Sequence, residues 1–205
     1  MSKLSGLSCV GIFWAVLSLL ATVAASVGFY MPYWLHGAFS DSTPIYFGVF
    51  RRCNYPKLDD GGHLVIVREC GRYTTFWDIP SVFWQIATVS VGVGCGLGLL
   101  VSMTGVMSVC VRDVITPVVG KVASAMQLCA GLLIGGGLAI YPYGWDNVEV
   151  HQACEGLSGH YNLGSCTLSW AFYLTGCGAG LTIICCMMAC HAHRKKDTHA
   201  VTYHV

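Results

Sequence analysis

Four stretches of this chain contain no Asp, Glu, Lys or Arg: Leu7–Met31, Val82–Val111, Val122–Tyr141 and Leu168–Cys190, of 25, 30, 20 and 23 residues. An α-helix rises about 1.5 Å per residue, so roughly 20 apolar residues cross the hydrocarbon core of a bilayer. All four stretches are long enough to span, and the second is long enough to tilt or protrude. Lys3 ahead of the first stretch imitates a signal peptide, but an h-region has only about 7–15 residues. The first stretch is therefore read as a retained span.

Composition closes off the other classes. Only 10% of the 205 residues are charged and 55% are hydrophobic, whereas a soluble domain carries roughly 25% charged residues. A net charge of +1 without a basic stripe excludes a nucleic-acid binder. The spans hold no ionisable residue besides Cys and Tyr, and their only amides are Gln85 and Gln127. Transporters and pumps place carboxylates, cations or His inside the bundle, so a carrier or pore is not expected. Both amides are expected to form interhelical hydrogen bonds. G-x-S-x-G, H-E-x-x-H and P-loop motifs are missing. No enzyme activity, cofactor, metal or small-molecule substrate is expected.

The charges that exist set the orientation. Six cations (Lys3, Arg112, Lys121, Arg194, Lys195 and Lys196) fall in the 31 residues of the two termini and the short loop. Only five fall in the 76 residues of the two long loops, 32–81 and 142–167. The positive-inside rule then puts both termini in the cytoplasm, with the tail 191–205. The expected location is the plasma membrane, in one tetraspan domain covering 1–205. Membrane lipid and other integral membrane proteins are the expected partners.

Cysteines divide by compartment. Cys53 and Cys70 lie in the first long loop and Cys154 and Cys166 in the second, on the oxidising side. Four cysteines allow three connectivities, and the short rings of Cys53–Cys70 and Cys154–Cys166 are preferred. Cys95, Cys129 and Cys177 lie deep in spans as small hydrophobes. Cys110, Cys185, Cys186 and Cys190, with Cys9, fall near the inner face and are candidates for S-palmitoylation. His191, His193, His199 and His204 beside Cys190 read as a solvated tail.

In the first long loop, Ile45–Cys53 and Leu64–Cys70 are rich in β-branched and aromatic residues and flank Asp59-Asp60-Gly61-Gly62. This predicts an antiparallel hairpin. Two strands alone are marginal, so Tyr33–His36 is expected as an edge strand, with a further strand from the second loop. Trp34, Trp77, Tyr141, Tyr143, Trp145, Trp170 and Tyr173 cluster at the span ends and read as an interfacial aromatic belt. Gly92/Gly96, Gly94/Gly98, Gly131/Gly135 and Gly176/Gly180 are small-xxx-small pairs, expected to serve the internal bundle. The terminal Tyr203 and Val205 suit a PDZ domain, which takes a C-terminal strand and its carboxylate.

Trp34, then Gly48-Val49-Phe50-Arg51-Arg52-Cys53, then Cys70 resemble the W…G-L-W-x-x-C…C signature of the claudin-like tetraspan superfamily, with Val49-Phe50 in place of Leu-Trp. Tyr141-Pro142-Tyr143-Gly144-Trp145-Asp146, Glu149-Val150, Cys154, Tyr161 to Cys166 and Trp170 to Tyr173 resemble the lipoma HMGIC fusion partner-like family. Met31 to Leu35, Phe50 to Pro56 and Glu69 to Tyr73 bring it nearest that family's founding branch. The resemblance implies a membrane all-α fold, a left-handed four-transmembrane helix bundle topped by a small extracellular antiparallel β-sheet. It also implies a non-enzymatic auxiliary subunit or partner-binding scaffold of a receptor, channel or adhesion complex, as in relatives of hair-cell mechanotransduction and inhibitory synapses. The alternative is claudin-type homotypic adhesion or a paracellular barrier.

Overall fold

The computed structural model describes residues 9–38, 43–59, 61–62, 64–111 and 116–189. Among them, four helices are long and apolar enough to cross a membrane. They are α1 (Cys9–Tyr30), α2 (Val82–Cys110), α3 (Pro117–Ile140) and α5 (Trp170–Ala189), and α4 (Val148–Ala153) is a short helix in the second loop. The chain is a multi-pass membrane protein of the tetraspan type. Local sequence starts the helices. Ser81 caps α2 by accepting from the Phe83 N–H at 3.2 Å, and Thr116 caps α3 just ahead of Pro117.

The four spans close into a ring in which α1 packs on α2 and α5, and α3 on α2 and α5. Without a hydrophobic drive between helices in lipid, close backbone approach has to hold them. A glycine sits at each contact. A Cβ on Gly178 would fall 2.8 Å from the Ala21 carbonyl of α1, and one on Gly94 2.9 Å from the Ala130 carbonyl of α3. Gly98 faces Thr22, and Gly131 faces Ile183. The paired reading of the glycines is corrected, because three of the four pairs divide. Gly96, Gly135 and Gly180 meet nothing within 4 Å, so one member of each pair points out of the bundle.

The sheet has five antiparallel strands in the order β4-β3-β2-β1-β5: β1 Leu35–Ala38, β2 Pro44–Phe47, β3 Arg51–Leu58, β4 Leu64–Arg72 and β5 Thr167–Leu168. Two expectations change. Ile45–Cys53 is not one strand but two, broken at Gly48, whose N–H bonds the Arg51 carbonyl at 2.7 Å. The turn presses on the α1–β1 junction, and a Cβ on Gly48 would lie 3.0 Å from the Met31 carbonyl. The hairpin that Cys53 and Cys70 staple is β3–β4, with Cys53 opposite Cys70. Nor do Tyr33–His36 form an edge strand. Tyr33 and Trp34 are in a turn, β1 starts at Leu35, and the second loop's β5 takes the edge beside it.

Two cores follow from this layout. One lies where the sheet meets the spans, around Trp34, Phe47, Trp84, Tyr141 and Ile134. The other lies at the opposite end, around Trp14, Val101, Ala123 and Cys185. Between the spans Gln127 behaves as expected, donating to the Ser18 hydroxyl at 2.8 Å and accepting from the Trp14 indole at 3.0 Å. Gln85 does not, since its amide donates to the nearby Ile79 carbonyl at 3.2 Å, in the segment just ahead of its own helix.

Candidate partner-binding head and its braces

Sequence motifs at the span ends turn out to build the junction between sheet and bundle. Trp34 is fully buried, and its indole N–H donates to the Gly28 carbonyl at 2.7 Å, a carbonyl near the end of α1. Its ring meets Tyr141 edge-on at 5.0 Å and Phe172 at 5.5 Å. Tyr141 stacks on Trp84 at 5.1 Å, and the Trp84 indole donates to the Tyr141 carbonyl at 3.2 Å. Edge and stacked pairs of this kind add to plain area burial. Gly144 is required here, because any Cβ would collide with the Trp84 indole.

The aromatic belt is thereby corrected. Trp34, Tyr141 and Trp145 are buried in the core, whereas Trp77, Tyr143, Trp170 and Tyr173 remain exposed. Aromatic residues at span ends carry the same sequence signal whether the ring turns inward or toward the interface. Pro142 is also buried, in the 3₁₀ turn Tyr141–Trp145 that follows α3. Trp170 packs beside Tyr33, with ring centres 5.7 Å apart.

Each long loop carries one disulfide, Cys53–Cys70 in the first and Cys154–Cys166 in the second. The second lies against β1, where a Cβ on Gly37 would sit 2.8 Å from the Cys166 sulfur. Asn147 caps α4 by accepting from the Val150 N–H at 3.0 Å, and this positions Glu149 in the first turn. The Glu149 carboxylate pairs with the Arg52 guanidinium of β3 and accepts from the Tyr73 hydroxyl at 3.0 Å. Arg52 also lies over the Tyr55 and Tyr73 rings, 3.7 and 4.5 Å from their centres. Burial, then the negative charge of Glu149, pushes the Tyr73 phenol well above its usual range, so it stays protonated and donating.

In the sequence Arg52 and Glu149 are motif residues without an evident role. In a chain this poor in charge, opposite charges in two loops on one side were the available signal. A second polar group lies lower on the loop, where Asp146 meets His151 at 2.8 Å and His160 at 3.5 Å. The hydrogen bond from His151 holds the Asp146 carboxyl below its ordinary range.

The braced head leaves apolar side chains in water or at the interface: Trp77 is 80% exposed, Val148 70% and Leu157 61%. Of the acylation candidates, Cys110 is exposed at the end of α2, and Cys186 is half-buried. Cys185 differs from these two. It is fully buried in the core at the end of the bundle away from the sheet. Cys190, Tyr203 and Val205 lie outside the described residues. Among the spans' other thiols, Cys95 is buried, while Cys129 and Cys177 face outward.

Residues 10–194 match the profile of the family described as "Lipoma HMGIC fusion partner-like protein". The LHFPL tetraspan subfamily member 2 protein of Homo sapiens is 28% identical over 211 residues, covering 95% of this chain and 91% of the relative. The member 3 protein of Xenopus laevis is 30% identical over 167 residues, 80% of this chain and 72% of the relative. The member 4 protein of Mus musculus is 31% identical over 170 residues, 80% of this chain and 64% of the relative.

Proposed function

The chain belongs to the lipoma HMGIC fusion partner-like tetraspan family, and from that premise we propose that it is a non-enzymatic auxiliary subunit of a larger membrane receptor, channel or adhesion complex. In this reading the protein sits in the plasma membrane with both termini in the cytoplasm and the sheet outside the cell, an orientation supported by the concentration of cations in the short segments. The observation that carries the reading is the head. It is fastened by two disulfides and an ion pair, yet it leaves large apolar side chains such as Val148 and Leu157 uncovered. A rigid surface with apolar points binds a partner with little ordering cost. The spans add outward-facing small residues on which a partner helix can rest.

Crosslinking and proximity labelling in native membranes test the role. A stoichiometric complex with a larger membrane protein is expected, reduced by Val148→Asp and Leu157→Asp together. Recovery of abundant bystanders only, unchanged by that double substitution, would refute it. Strands in freeze-fracture images of transfected cells would replace it with homotypic adhesion. Orientation is checked separately: epitopes at Met1 and Val205 should be hidden in intact cells, and one between Gly61 and Gly62 accessible.

A further inference from the structure

Two arginines face each other on the sheet without a counter-ion among the described residues. Arg51 of β3 is directly opposite Arg72 of β4, and side chains so placed have Cβ atoms about 5 Å apart. Like charges in that position repel. Among the described residues no carboxylate is recorded against either one. Glu149 is taken by Arg52, and Asp78 accepts from the Thr75 N–H at 2.8 Å. The Arg51 guanidinium lies over the Tyr30 ring at 4.4 Å, at the end of α1, and its Nε is buried without a hydrogen-bond partner.

Beside this pair is a hollow of about 260 Å³ with a mixed lining, Arg72, Thr74, Thr75 and Thr88 on one hand and Phe50, Tyr73, Phe76 and Ile79 on the other. Phe76 also lines a second, apolar groove of about 470 Å³ running along α2 and α3 past Ile86, Val89, Val93 and Leu133. The first hollow is at the sheet end of the spans. The second is in the spans themselves, within the part of α2 nearest the sheet. Trp77, exposed next to Phe76, is the kind of residue that settles at headgroup depth.

We propose that these two hollows form one site for a glycerophospholipid of the leaflet on the sheet side. Its phosphodiester rests against Arg72 and the hydroxyls of Thr74 and Thr75, and an acyl chain follows the α2–α3 groove. The phosphate supplies the anion that the Arg51–Arg72 pair lacks, and charge-assisted bonds to phosphate are the strong class. A partner helix fits less well. A helix is about 10 Å across with a pitch of about 5.4 Å, so the groove holds roughly one turn of it. An apolar spanning helix also brings no anion to the arginines.

Native mass spectrometry of the full chain, released from mild detergent with its own lipids, tests the site. One phospholipid adduct per chain is expected. Arg72→Gln removes the phosphate contact and Val89→Trp fills the groove. Each should lower the adduct about tenfold, the effect of one charge-assisted contact. Leu100→Trp, exposed on α2 away from the groove, should leave it unchanged. Arg72 is a surface residue, so its variant reads out binding even if the tryptophan variant fails to fold. Equal adducts in wild type and Arg72→Gln would overturn the headgroup site. So would loss of a co-purifying membrane protein, rather than of phospholipid, in Val89→Trp.

Discussion

The Arg52 guanidinium is paired with the Glu149 carboxylate across 97 residues of sequence, tying the first long loop to the second. Both side chains are about one-fifth exposed, at 21% and 20%, so water screens the pair only in part. Glu149→Ala strands Arg52 and leaves the Tyr73 hydroxyl without its acceptor. Hydrogen bonds to charged groups are worth roughly 1.5–3 kcal/mol, so a loss of about 2 kcal/mol is expected in thermal unfolding. Combining it with Arg52→Ala should cost less than the sum of the two single changes, because the partners are coupled.

A buried and an open glycine should separate by sign. Gly144→Ala drives a methyl into the buried Trp84 ring, and overpacking of this kind costs about 2 kcal/mol. Gly96→Ala meets open space within its helix and should raise stability by about 0.5 kcal/mol, the usual helix-interior preference for alanine. Scanning fluorimetry of the two variants in the same detergent makes the comparison.

Cys53→Ser and Cys154→Ser each open a short ring, of sequence separation 17 and 12. Loop entropy puts each bridge at about 3 kcal/mol, a large share of a small sheet's stability. Surface biotinylation should show both variants held back from the cell surface. Normal delivery of both would contradict a structural role for the bridges.

Acid should weaken the second loop through Asp146. Its carboxyl is held below the ordinary range, chiefly by the His151 hydrogen bond. A lowered folded-state pKa gives stability that is present above the unfolded value, about 4, and is lost as the pH falls through the folded value. The difference in melting temperature between wild type and Asp146→Asn should therefore be full at neutral pH and vanish under strongly acidic conditions.

The spans were legible because a run without charge is a direct statement about solvent, and their helices start within a few residues of the expected points. The disulfides were legible because orientation sorted the cysteines before pairing began. Strand breaks were not. Ile45–Cys53 has uniform β propensity, and only the approach of Gly48 to the Met31 carbonyl shows why the chain turns there. The burial of Trp34 and Tyr141 was equally hidden, because it depends on Phe172 and Trp84 arriving from other spans. For Arg52 and Glu149 both residues could be read, but their meeting required the fold.

The packing of α1 on α5 means that α1, made well before α5, waits for it. The Ser169 N–H reaches the Trp34 carbonyl at 2.8 Å, and the Ala171 N–H reaches the Tyr33 carbonyl at 3.1 Å. Domains otherwise begin to organise from the N-terminus during synthesis. Here the ring stays open until α5 is translated, and before that Gly178 is absent from its seat against Ala21 and Ala25. A premature stop ahead of Thr167 would yield three inserted helices with an unclosed seam and a sheet lacking β5. Such a product would be a substrate for membrane quality control rather than a shortened working protein.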